Sequence, residues 1–435
     1  MAKQIIQPVR GTRDYSGSDM HRFRQVMETI GSVVECYHFH ELQTPIFEFS
    51  DVFHRSLGDS SDVVSKETYS FTDRGGEHIT LRPEFTAAIV RAFISGGHTQ
   101  QLPFKVWYRG PAFRYERPQK GRLRQFHQVG VEALGASEPW QDAQVIACAY
   151  DALKALAQLN GDDSPTPFDV TLELNTLGDK ASRDAYRQML VEYFRTHIGS
   201  LSEESRIRLE KNPLRILDSK QEEDRAIIAD APLFDDALNE DSKAWIMQVQ
   251  EMLHSLHIPF RLNPRLVRGL DYYSHTVFEF TTDRLGSQAT VCAGGRYDGL
   301  IEQMGGGAIP AVGWAVGVER LMLLLEQSSQ HMHHPLLPML MFIVMDDKAL
   351  LSALRMSREI HTIGYAADII THKNMGKAIK KAQQQGASHI VVLGENEVQT
   401  GTYSLKYLAT GESFAFNDTE KLIRLLAASF ATTRE

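Results

Sequence analysis

Residues 113–135 read FRYERPQKGRLRQFHQVGVEALG, and the fold turns on how this stretch is understood. Two runs of strand character, 105–116 and 124–133, flank RPQKGRL, a polar segment too long for a tight hairpin and carrying Gly121. The pattern predicts an antiparallel strand pair with a mobile loop. Side chains alternate between faces along a strand, so Arg124, Phe126, Gln128, Gly130 and Glu132 should share one face, with Arg114 and Glu116 on the partner strand. A cation, an amide and a carboxylate then converge. Such a surface suits a substrate bearing phosphate, ammonium and carboxylate groups, because arginine offers a planar two-pronged donor while Gln and Glu supply directional partners. A solvated sheet face is the weaker reading, since the polar face persists through two long strands that look central. Arg117, Lys120, Arg122 and Arg124 put four positive charges within eight residues. They fit either a phosphate contact, from a nucleotide or a nucleic acid, or a solvated charge run.

Working outward, 20–38 has helical periodicity and is followed by ELQTPIFEF (41–49), a strand whose Pro45 interrupts ladder hydrogen bonding and favours an edge. Residues 69–81 predict a hairpin turning at Gly75 and Gly76, and 82–93 predict a helix with Pro83 in its first turn. From about 178 to 256 the chain is charged and helical, with helices expected over 181–197 and 241–256, and reads as an insertion. Strand signals resume at 260–262, 276–281 and 289–292, and 313–318 leads into an apolar helix ending near Gln327. AGGRYDG (293–299) is read as a tight turn that lets backbone approach a substrate closely. SSQHMHHP (328–335) has linker character, and its histidines lack the acidic or cysteine companions of a metal site. Beyond it, apolar runs at 339–344, 367–370 and 389–393 alternate with helical segments, which is the pattern of a small α/β domain. The expected division is therefore a sheet domain over 1–327 with a helical insertion, a linker over 328–335 and an α/β domain over 336–435.

The length of 435 residues suits about two or three domains. Hydrophobic residues at 43% and charged residues at 23% are ordinary for a globular protein. No apolar stretch has signal-peptide character or approaches the roughly twenty residues of a membrane span, so a cytoplasmic location and no membrane partner are expected. Cys36, Cys148 and Cys292 form no CxxC pair, which argues against a disulfide framework or a cysteine zinc site. A net charge of −9 excludes indiscriminate nucleic-acid binding and requires any such partner to be held by local basic patches. Neither GxGxxG nor GxxxxGK[ST] occurs, so no phosphate loop of Rossmann or P-loop type is present.

The chain resembles the histidyl branch of the class II aminoacyl-tRNA synthetases. FRYERPQKGRLRQF is similar to the second signature motif of that class, ELQTPIFE to the first and GWAVGVERLML (313–323) to the third. LVRGLDYYSHTVFEF (266–280) and AGGRYDGL (293–300) resemble two segments that mark the histidyl branch, and all five occur in family order. The fold class this implies is α+β: an antiparallel-sheet catalytic domain with a helical insertion, followed by a small α/β anticodon-binding domain. The activity implied is adenylation of L-histidine by ATP and transfer to tRNA, in a homodimer, with Mg²⁺ sharing the phosphate charge.

The same resemblance assigns individual roles. Arg114 and Arg268, taken as the catalytic pair, contact the α-phosphate from opposite sides, and Arg320 contacts the distal phosphates. Glu84 and Thr86 lie near the ammonium of histidine, Gln128 near its carboxylate, and Glu132, Tyr272 and Tyr273 form the imidazole pocket. A carboxylate acceptor plus a phenol satisfies both ring nitrogens, and amino acids lacking those nitrogens leave polar groups unpaired, a mismatch that rejects analogues by roughly 10⁴ or more. Arg117, Gln119, Lys120 and Arg122 in the loop are implied to meet tRNA. In the terminal domain Lys377, Lys380 and Lys381 share a helical face, near Lys373, which on sequence alone fits a solvated face as well as RNA; the resemblance tips it towards RNA. One departure is Phe85, where the family often has glycine; an aromatic followed by Ala87 and Ile89 reads as core packing. A non-catalytic rival, the regulatory subunit of ATP phosphoribosyltransferase, resembles the catalytic domain but typically lacks the terminal one. A second rival, an RNA-binding module of degenerate synthetase fold, would not need the phosphate-binding arginines.

Overall fold

The computed structural model describes residues 5–58, 63–159, 161–164, 166–217, 219, 221–267, 272–286, 290–327 and 339–431. The chain divides into two compact units, Met1–His331 and Met332–Glu435. In the first, the strands are β1 (His40–Glu41), β2 (Phe47–Phe49), β3 (Tyr69–Thr72), β4 (His78–Leu81), β5 (Phe104–Phe113), β6 (Gln125–Leu134), β7 (Thr171–Thr176), β8 (Phe260–Leu262), β9 (Ser274–Thr281), β10 (Thr290–Arg296) and β11 (Ala311–Gly317). Eight of them form one sheet in the order β1-β5-β6-β11-β10-β9-β7-β8, and β2-β4-β3 form a small separate sheet. The large sheet is antiparallel except at its two margins, where β1 runs parallel to β5 and β8 parallel to β7.

The expected strand pair is the centre of this architecture. β5 and β6 are in register from Phe104↔Leu134 to Phe113↔Gln125, and Arg114 N–H donating to the Arg124 carbonyl at 2.9 Å carries the ladder to the loop. Alternation along the strands sends Trp107, Val129, Val131 and Trp314 to one face, where all are buried. Helices Gly17–Cys36 and Pro139–Gln158 pack on each other and against the large sheet. The opposite face carries the polar residues. Between β7 and β8 the described residues hold helices and 3₁₀ turns only, including the helices Lys180–Thr196 and Glu240–Ser255.

Four local readings differ from the sequence-based expectation. ELQTPIFEF is not one strand: Pro45 separates β1, on the margin of the large sheet, from β2 in the small one. The helix expected from Arg82 begins at Thr86, because the Glu84 carboxylate accepts from the backbone N–H groups of Thr86 and Ala87 and so satisfies its first orphan donors. AGGRYDG is not a tight turn. Its first four residues belong to β10, in ladder register with β11 at Gly294↔Trp314 and Gly295↔Gly313. Arg124 lies just outside β6, its guanidinium over the Tyr115 ring and its Nε donating to the Glu116 carbonyl, away from the face it was expected to join.

The second unit has strands β12 (Met339–Val344), β13 (Ala366–Thr371), β14 (Ala387–Leu393), β15 (Tyr403–Tyr407) and β16 (Ser413–Phe416), ordered β13-β12-β14-β15-β16. The first three are parallel, and the antiparallel β15 and β16 extend one edge. β12 is apolar throughout because both its faces are covered: Leu340, Phe342 and Val344 enter one core, Met341 and Ile343 the other. The linker residues 328–335 lie outside the described residues.

Candidate active site

Small residues lining up across the sheet open a cavity of about 300 Å³ on its polar face. Register aligns Gly130 of β6 with Ala315 of β11, Glu132 with Gly313, and Gly313 with Gly295 of β10. Two of these glycines are required by close approach. A side chain on Gly130 would meet the Tyr108 hydroxyl, and one on Gly313 would overlap the Glu132 carboxylate.

One end of the cavity is dry and acidic. Glu132 is 1% exposed, and it accepts from Thr86 Oγ1 at 2.7 Å, from the Tyr297 hydroxyl and, at 3.5 Å, from the Tyr108 hydroxyl. Burial pushes its carboxyl up to about 8 against the opposing pull of those hydrogen bonds. Burial also raises Glu84, opposed by the backbone N–H groups it accepts from, and lifts Tyr108, Tyr272 and Tyr297 well above the usual phenol range. Tyr272 and Tyr273 lie with ring centroids 4.7 Å apart, and Tyr272 meets Tyr297 edge-on at 5.6 Å. Phe85 is buried, stacked on Tyr108 at 4.3 Å and covered by Arg82, and it also borders the cavity. Between the two ends, Gln128 carries a buried amide oxygen with no hydrogen-bond partner among the described residues.

The other end is cationic. Arg114, held by donation from its Nε to the Pro83 carbonyl at 2.9 Å, lines the cavity with Arg122 and Arg320. Arg320, at the start of helix Val318–Gln327, donates to the Thr290 carbonyl at 2.6 Å. Burial lowers the Arg320 guanidinium, and Arg122 and Arg114 lower it further, so the three cations are close enough to repel one another. Arg122 is partly compensated by an ion pair with Glu116. Glu319, beside Arg320, accepts from the backbone N–H and Nδ1 of His127 and from the Tyr15 hydroxyl.

The structure thus gathers Glu84, Thr86, Arg114, Gln128, Glu132, Tyr272, Tyr273 and Arg320 around one cavity. Arg268 lies outside the described residues. Arg117, Gln119 and Lys120 are exposed on the loop, whose Gln119 and Arg122 bridge one another. Sequence reasoning missed Tyr108 and Tyr297 as partners of Glu132, and Glu279 and Glu319 as cavity carboxylates. In the second unit, Lys377, Lys380 and Lys381 are all exposed on helix Met375–Gln384, whose Ala378 and Ala382 face the core.

A histidyl-tRNA synthetase family model matches residues 11–321, and an anticodon binding domain model matches 339–426. The histidine–tRNA ligase of Gluconobacter oxydans is 53% identical over 408 residues, covering 94% of this chain and 95% of that protein. That of Rhodospirillum rubrum is 51% identical over 407 residues, covering 94% and 95%. Among solved structures, the apo histidyl-tRNA synthetase of S. aureus superimposes with a TM-score of 0.80 at 33% identity, over 97% of this chain and 100% of that one.

Proposed function

The chain belongs to the histidyl-tRNA synthetase family, and from that premise we propose that it is a histidine–tRNA ligase, activating L-histidine with ATP to histidyl-adenylate and pyrophosphate and transferring histidine to the 3′ end of its tRNA. The observation that carries this reading is the polarity of the cavity: three arginines at one end, a buried carboxylate among phenols at the other.

Adenylation needs the amino-acid carboxylate in line with the α-phosphate, so the protein positions reactants and neutralises charge instead of supplying a covalent nucleophile. Arg114 and Arg320 take the phosphates, and Arg268 is assigned to the α-phosphate by its place in the family motif. Glu132 and Tyr273 bond the two imidazole nitrogens, with Tyr272 lining the pocket. Glu84 and Thr86 receive the ammonium, and the side-chain NH₂ of Gln128 donates on the carboxylate side. Mg²⁺, when bound with ATP, would neutralise phosphate charge. The residues present fit such an ion, since Glu116, Glu279 and Glu319 border the cavity outside its acidic end, and Mg²⁺ commonly takes one or two carboxylates together with substrate phosphates and waters.

The terminal unit and the exposed lysines at 377, 380 and 381 serve tRNA recognition with the exposed loop residues Arg117, Gln119 and Lys120, whereas Arg122, also expected to meet tRNA, lines the cavity instead. A homodimer is supported by the small sheet, whose Phe47, Phe49 and Phe71 are each half or more exposed on one face. No helix among the described residues is long and apolar enough to cross a membrane, which is compatible with a cytoplasmic enzyme. The decisive assay is histidine-dependent exchange of pyrophosphate into ATP. Robust exchange with histidine and background exchange with other amino acids is expected; absence of exchange in folded protein would reduce the chain to a histidine-sensing or RNA-binding relative.

A further inference from the structure

The helical insertion reaches the wall of the acidic pocket through one buried carboxylate. Asp142, fully buried in the first turn of helix Pro139–Gln158, accepts from Arg296 Nη2 at 2.6 Å, from Thr276 Oγ1 at 2.6 Å and from Trp245 Nε1 at 2.9 Å. Each donor comes from a different element. Arg296 ends β10 and immediately precedes Tyr297, whose hydroxyl donates to Glu132. Thr276 stands in β9, three residues beyond Tyr273. Trp245 belongs to helix Glu240–Ser255 of the insertion.

The indole makes further contacts with the same two strands. The Arg296 guanidinium lies 4.7 Å from its ring centre, and His275 stacks on it at 4.8 Å. His275 holds a left-handed backbone, φ 44°, which a non-glycine residue adopts only when its surroundings enforce it. Its N–H donates to the Gly178 carbonyl and its carbonyl accepts from Leu177, so β9 is tied to the root of the insertion as well. Both chain segments that present tyrosines to Glu132 and its surroundings are therefore clamped at one point from the insertion side.

We propose that Trp245 is a positioning residue for the histidine pocket: by donating to Asp142 and seating Arg296 and His275, it fixes where Tyr273 and Tyr297 stand relative to Glu132. This rests on the reading of that pocket as the imidazole site. Trp245 itself is absent from the residues lining the cavity, so its effect travels through Asp142 and the strands. Misplacing a pocket wall weakens histidine more than ATP, because Arg114 and Arg320 line the opposite end of the cavity, held there by the Pro83 and Thr290 carbonyls.

The test is pyrophosphate exchange and thermal melting of Trp245→Phe, which keeps an aromatic ring but removes the N–H, alongside Thr276→Val, which removes a second donor to the same carboxylate. Both should raise KM for histidine about tenfold while leaving KM for ATP within about twofold. Glu132→Gln serves as the control for the pocket. If Glu132→Gln raises KM for histidine while Trp245→Phe and Thr276→Val leave it unchanged, or move both KM values together with a lowered melting temperature, Trp245 is structural only and the proposal falls. If Glu132→Gln itself leaves histidine unaffected, the pocket assignment fails instead, and the proposal with it.

Discussion

The two ends of the cavity handle charge in opposite ways. At the arginine end, Arg114, Arg122 and Arg320 are close enough for the first two to lower the Arg320 guanidinium, so positive charge is concentrated where an anion would be held. At the acidic end, Glu132 already has hydroxyl partners, and burial favours its protonated form. One end gathers positive charge, the other presents a carboxylate preorganised by its hydroxyl partners. Phosphate, with its multiple negative oxygens, suits the first. An imidazole with two distinct ring nitrogens suits the second.

The largest expected effect breaks the cationic end. Arg320→Ala should lower pyrophosphate exchange about 10³-fold, in the range seen when a donor to developing charge is removed. Its readout is kcat/KM for ATP; a change below tenfold would remove Arg320 from phosphate binding. Next, Glu132→Ala and Tyr273→Phe should lower kcat/KM for histidine by about 10² and relax discrimination against amino acids without ring nitrogens, because the site loses the groups such analogues leave unpaired. Unchanged discrimination would place the imidazole elsewhere.

A smaller effect separates the cavity from the terminal unit. Changing Lys377, Lys380 and Lys381 together to Gln should weaken tRNA charging about tenfold in KM for tRNA at low salt, less at higher salt, with exchange unaltered. Equal charging at low and high salt by parent and variant would leave those lysines as a solvated face.

The smallest effect concerns stability and tests the acidic end in the empty protein. The folded carboxyl of Glu132 is raised from 4.5 to about 8, so its protonated form contributes stability that is full below pH 4.5, declines as pH rises and is lost above about 8. Glu132→Gln stays neutral. Its unfolding free energy relative to the parent should rise across that window by at most a few kcal/mol, judged from the size of the shift. A difference independent of pH between 5 and 9 would show that burial does not strain this carboxylate.

Much of this was legible in the residues, for identifiable reasons. Strand alternation around 104–134 reveals the central hairpin because both strands are long, and Gln128 and Glu132 fall on the cavity face by parity alone. The helix Met375–Gln384 is readable because its alanines and lysines segregate at helical spacing. What was not legible depends on pairing between distant segments. Tyr108 lies 24 residues before Glu132 and reaches it only because Gly130, directly opposite, has no side chain; a glycine facing an aromatic across the predicted strand pair is the available signal. Tyr297 belongs to AGGRYDG, whose glycines signal a turn locally, whereas β10 is set by pairing with its two neighbours. Glu84 was expected near the ammonium, yet its cap on helix Thr86–Ser95 is a backbone event no motif displays. Arg124 was misplaced by extending strand parity one residue past the ladder.

The central claim is that the two ends act on different substrates, and calorimetric titration of each ligand into each broken end tests it most directly. Arg320→Ala should bind histidine with the parent's affinity and lose ATP, while Glu132→Gln should bind ATP with the parent's affinity and lose histidine. If each folded variant loses both ligands equally, or loses the one assigned to the other end, the division of the cavity is contradicted.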